Sequence, residues 1–63
     1  MKLEFYSSYE NDRLIELVLE SFGLETRKYD CRPNGQRCWD ILGTLEKISW
    51  FLWQIEQENI ELE

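Results

Sequence analysis

Arg37-Cys38-Trp39-Asp40-Ile41-Leu42, then Gly43-Thr44, then Leu45-Glu46-Lys47-Ile48-Ser49-Trp50-Phe51-Leu52-Trp53-Gln54-Ile55, is the stretch on which the fold turns. Read in two pieces, it is a strand over 37–42 followed by a helix that opens at Thr44. Thr is a good N-cap because its hydroxyl accepts from an orphan N–H of the first turn. In that helix Leu45, Ile48, Leu52 and Ile55 form one apolar stripe with Phe51 on its flank. Trp50 and Trp53 fall off the stripe, beside Glu46 and Gln57. A helix that is apolar on its core side and carries two tryptophans elsewhere has a second surface to bury. Read in one piece, the stretch is a single long helix over 37–62. Ile41, Leu45, Ile48, Leu52, Ile55, Asn59 and Leu62 then step by four and three residues along a heptad seam, which would pair with a second copy. Gly43 would cost about 1 kcal/mol inside such a helix.

Upstream, Lys2-Leu3-Glu4-Phe5-Tyr6 alternates and predicts a strand with Leu3 and Phe5 inward. Ser7-Ser8-Tyr9-Glu10 fits a capping box at the start of a first helix. That helix should run to about Phe22, with Leu14, Ile15, Val18 and Phe22 on its apolar face and Leu17 and Leu19 at the margins. Gly23 suits the left-handed residue after a helix, and Leu24 the hydrophobic contact that goes with it. Residues 26–31 read as a second strand. Pro33-Asn34-Gly35 marks the turn into residues 37–42. Residues 59–63 alternate again, as a short last strand or as the end of the second helix.

The expected fold is therefore a single α+β domain over residues 1–63, β-α-β-β-α with an optional last β. A strand inserted between the arms of a β-α-β unit gives the split, ferredoxin-like arrangement. The alternative is βαβ followed by one long C-terminal helix in a dimer. If residues 60–62 form no strand, the first strand is an exposed edge that invites a second chain. Both routes lead to a homodimer.

A chain of 63 residues buries only about 60% of its unfolded surface. Its composition, 43% hydrophobic and 14% aromatic against 32% charged, is still that of a folding chain rather than a disordered one. There is no apolar run long enough for a membrane span and no signal-peptide pattern, so a cytoplasmic location is the expectation.

The net charge is −6 and histidine is absent. The commonest general base and metal ligand is therefore missing. Charge is uneven. Residues 26–37 hold Arg27, Lys28, Arg32 and Arg37 against Asp30, a local +3, and the remainder carries −9.

Cys31 and Cys38 flank the turn. An even loop would place them opposite each other. A type I turn with a left-handed Gly bulge shifts the register by one. Tyr29 then meets Trp39 and Lys28 meets Asp40, both favourable cross-strand pairs. That second register is the expectation, with the two thiols free and on opposite faces. Two cysteines and no histidine do not supply four metal ligands from one chain. No cofactor is expected.

The sequence shows no phosphate loop, nucleophile elbow or metal-ligand constellation, so no enzymatic activity is expected. Ser7 and Ser8 are explained as caps. The leading expectation is a protein-binding module with an interface at Trp50, Trp53, Phe51 and Gln57, since Trp is enriched at binding hot spots. Its sharper form uses an acidic surface of Glu16, Glu20, Glu56 and Glu58 to occupy a partner's nucleic-acid-binding or regulatory site. Small acidic inhibitors of phage or other mobile elements, which block host defence complexes, share this size and charge as a matter of composition alone. One alternative is a nucleic-acid binder using Arg27, Lys28, Arg32 and Arg37 interleaved with Tyr29 and Trp39. Another is a structural dimeric subunit of a larger assembly.

Overall fold

The computed structural model describes residues 1–30 and 35–62. Strand β1 covers Lys2–Ser8 and is followed by a 3-10 turn over Tyr9–Asn11 and helix α1 over Asp12–Phe22. Strands β2 (Glu25–Asp30) and β3 (Gln36–Leu42) come next, then helix α2 over Leu45–Gln57. Residues 37–42 are thus strand, and the single long helix over 37–62 is overturned. Thr44 caps α2 as expected, its Oγ1 accepting from the Lys47 N–H at 3.2 Å. Gly43 makes the break sharp, because a Cβ there would collide with the Leu24 side chain.

The sheet is antiparallel in the order β1-β3-β2. β3 therefore lies between the two arms of the β1-α1-β2 unit, and the α+β class stands. Residues 60–62 form no strand, so the sheet has three strands among the described residues and β1 is an edge. The first pairing sets Phe5 opposite Trp39. Both point toward the helices and stack at 6.0 Å, and Phe51 of α2 closes on Phe5 at 5.5 Å. Around them pack Ile15, Val18, Leu19, Ile41, Ile48 and Ile55.

The two helices end alike. Gly23 has φ 64° and Asn59 φ 57°. In each case the next residue bonds back five positions, Leu24 N–H to Leu19 O at 3.1 Å and Ile60 N–H to Ile55 O at 3.2 Å. Leu24 and Ile60 are both buried by this turn. It is the Schellman device, with a hydrophobic residue folded back under the helix. Asn59 is therefore a helix-end residue and not a register-setting seam position.

Several expectations are corrected. Leu14, Leu45 and Leu52 are exposed, and Leu19 and Phe51 take their places in the core. Packing rotated each helix from the face its leucines suggest, because the aromatic rings of Phe5 and Trp39 set where volume had to be filled. The capping box does not form. β1 runs on to Ser8, and neither Ser8 nor Asn11 caps through its side chain. Ser7 is 1% exposed, and its Oγ accepts from the buried Trp39 indole at 2.8 Å.

The second-hairpin register also differs, with Tyr29 opposite Cys38 and Lys28 opposite Trp39. This turns Lys28 toward α1, where it pairs with Glu16. It turns Tyr29 to the open face of the sheet, where its hydroxyl donates to Asp40 Oδ2 at 3.2 Å. A Tyr29 on the helix side would have had to find a buried acceptor. Cys38 is buried on the open face and is disulfide-bonded. The expectation of free thiols is overturned there. Cys31, Arg32, Pro33 and Asn34 lie outside the described residues.

Candidate functional site

Helix α2 buries Ile48, Phe51 and Ile55. At 100° per residue the opposite side is the row Glu46, Trp50, Trp53 and Gln57, spaced 4, 3 and 4. Trp50 is 56% and Trp53 59% exposed, very large values for tryptophan. Phe22, at the end of α1, meets Trp50 edge-on with ring centroids 6.3 Å apart. Phe22, Trp50 and Trp53 line an almost wholly apolar surface groove of about 410 Å³. The structure thus joins three of the four expected interface residues, Trp50, Trp53 and Gln57, on one face. Phe51 is fully buried and belongs to the core. The sequence reading placed Glu46 and Gln57 beside the two tryptophans, and it missed Phe22, which its helical spacing assigned to the core.

The acidic residues form two rims. Glu16 and Glu20 lie one turn apart on the side of α1 over β2, in a groove with Thr26, Lys28 and Trp39. Glu16 is neutralised by Lys28. Glu56 and Glu58 stand exposed at the end of α2, where Glu58 accepts from Gln54 Nε2 at 3.1 Å. No contact joins the two pairs among the described residues. The layers nonetheless differ in charge. The helices carry five acids (Asp12, Glu16, Glu20, Glu46, Glu56) against Arg13 and Lys47, a net of −3. The strands carry Lys2, Arg27, Lys28 and Arg37 against Glu4, Glu25, Asp30 and Asp40, a net of zero.

Among the described residues of the basic hairpin, two of the three cations, Lys28 and Arg37, are held in ion pairs within the domain. Arg37 is held by Asp12, with Nε and Nη2 on Oδ2 at 2.9 and 2.7 Å, and by Asp30 at 2.8 Å. Its guanidinium also lies 4.7 Å from the Tyr9 ring centroid. The hydrogen bond to Asp12 raises the Arg37 pKa above its ordinary value. Lys28 is paired, and Arg27 lines an open-face hollow that also holds Glu25 and Asp40. Trp39 is 1% exposed and offers no ring for stacking. The same network ties the sheet to the start of α1, since Tyr9 Oη donates to Asp30 Oδ1 at 3.0 Å.

No group of three or more metal-ligating side chains occurs among the described residues. No helix there is long and apolar enough to cross a membrane. Comparison with protein-family models, curated proteins and solved structures finds no match to this chain.

Proposed function

We propose that this domain is a non-catalytic binding module. It docks through the outer face of α2 onto a basic, nucleic-acid-binding surface of another protein and so acts as a small acidic inhibitor. The observation that carries this reading is the pair Trp50 and Trp53, each more than half exposed, joined to Phe22 around an apolar groove. Exposed tryptophan is costly in water and is the residue type most enriched at binding hot spots. The groove sits in the layer of the molecule that carries net negative charge, with Glu46 in the same row and Glu56 one helical turn on from Trp53. A partner that fits would offer apolar side chains to the groove and Lys or Arg around it. Surfaces that receive phosphate backbones have that charge.

The test is retention of a partner from cell extract on immobilised protein, compared with Trp50→Ala/Trp53→Ala and with Glu20→Lys/Glu46→Lys. The expected partner is kept by the native domain, lost with the tryptophan pair, weakened by the charge reversal mainly at low salt, and released by added duplex DNA or RNA. Both tryptophans project outward, so the alanine pair should keep its secondary structure and lose about 1 kcal/mol or less of stability, chiefly at the Phe22 contact. A partner held equally by the tryptophan variant overturns the site. A partner that nucleic acid does not displace overturns the inhibitor reading.

A further inference from the structure

A second surface, separate from the tryptophan groove, lies along the free edge of β1. We infer that a second copy of this chain pairs with it antiparallel, in the register centred on Phe5, to give a continuous sheet.

An antiparallel pair built on a two-fold axis through the sheet must place residues of the same face opposite each other. A strand pairing with its own copy therefore has one residue meeting itself at the axis. For β2 the central residues are Arg27 and Lys28, so a centred register sets like cations against each other. Charge of that kind blunts an edge. For β1 the middle of the seven-residue strand is Phe5. Centred there, Glu4 faces Tyr6, Leu3 faces Ser7 and Lys2 faces Ser8, with no like charges opposed.

Charge at the ends of this pairing is complementary. Ser8 lines a polar hollow with Glu10 and Glu61, neither of which has an ion-pair partner among the described residues. Lys2 of one copy, opposite Ser8 of the other, arrives beside those two carboxylates. Lys2 is half exposed and now bridges Glu4 at 3.2 Å, so it is free to change partners. Symmetry repeats the contact at the other end.

The layer above is also self-complementary. α1 packs on the side of α2 that carries Trp50 and Lys47, as the Phe22–Trp50 contact shows. The other side of α2 therefore overhangs β1. It carries Leu52, 40% exposed, and Leu45, 65% exposed. Leu52 adjoins Phe51, which touches Phe5, and so stands close to the axis. With paired strands about 4.8 Å apart, the two α2 helices are brought side by side across the axis with these leucines between them. The two exposed leucines of α2, Leu45 and Leu52, are accounted for in this way.

The experiment is sedimentation equilibrium of the full chain up to near-millimolar concentration, with NOE spectra on a mixture of isotope-labelled and unlabelled protein. A dimer with interchain contacts between Glu4 and Tyr6 supports the inference. Lys2→Glu should raise the dimer dissociation constant about tenfold, since two symmetric contacts are lost, and Lys2→Glu/Glu61→Lys should bring it back. Leu52→Glu, at an exposed position, should give a folded monomer. A chain that stays monomeric throughout overturns the inference. So do interchain contacts at Trp50 and Trp53 instead of β1, or losses from the two charge reversals that simply add.

Discussion

Ser7→Ala isolates a single buried hydrogen bond and tells two accounts of this serine apart. Ser7 is 1% exposed and its Oγ is the acceptor for Trp39 Nε1–H at 2.8 Å, itself on a ring 1% exposed. Removing the acceptor strands a donor with no water to replace it. The cost is that of an unsatisfied buried polar group, about 1–3 kcal/mol. A domain of this size loses about 4–8 °C of melting temperature per kcal/mol. The expected fall is therefore about 5–20 °C, a large part of the margin of so small a protein. A lost helix cap would cost a similar amount, about 1 kcal/mol, so the single variant does not decide. The second partner does. In a Trp39→Phe background there is no indole N–H left to strand, and adding Ser7→Ala should then cost about 0.5 kcal/mol or less. Urea unfolding of the four proteins, followed by far-ultraviolet circular dichroism, completes the cycle. If Ser7→Ala costs the same in both backgrounds, the indole bond is not what holds Ser7 and the reasoning fails.

Two further perturbations follow from the same geometry. Gly43→Ala puts a methyl group into the Leu24 side chain at the point where β3 breaks into α2, and overpacking of this kind should cost about 1–3 kcal/mol; Gly43→Ala/Leu24→Ala should recover part of it, seen as a smaller drop in the urea midpoint than the two single changes added. Tyr9, bonded to Asp30, and Tyr29, partly desolvated beside Asp40, both have pKa values raised above the ordinary tyrosine value. A raised folded-state pKa means that the native state favours the protonated ring, so their contribution is whole below about pH 10 and is lost as pH rises through the folded value. Absorbance titration of tyrosinate should show two groups ionising late, with unfolding setting in over the same range; normal titration of all the tyrosines would refute it.

Much of this protein follows from local chemistry. The strand-break-helix reading of residues 37–55, the Thr44 cap and the Gly23-Leu24 helix end all depend on a few neighbouring residues. The outward projection of Trp50 and Trp53 follows from helical phase. These are settled by hydrogen bonds and dihedral preferences within one turn. What only the tertiary structure decided is which apolar residues the core would take and which polar ones it would need. Leu14, Leu45 and Leu52 looked as suited to burial as Leu19 and Phe51, since periodicity sees a face about 100° wide and not the rings packed against it. The Phe5–Trp39 stack made that choice. It also turned Ser7 from a presumed cap into the acceptor for an indole 32 residues away. The observed β2 register sets Asp30 opposite Arg37, and α1 supplies the further partners, Glu16 for Lys28 and Asp12 for Arg37. Those partners are distant in sequence, and no local rule brings them together. The same holds for Phe22, which joins the tryptophan groove only because α1 and α2 lie side by side on the sheet.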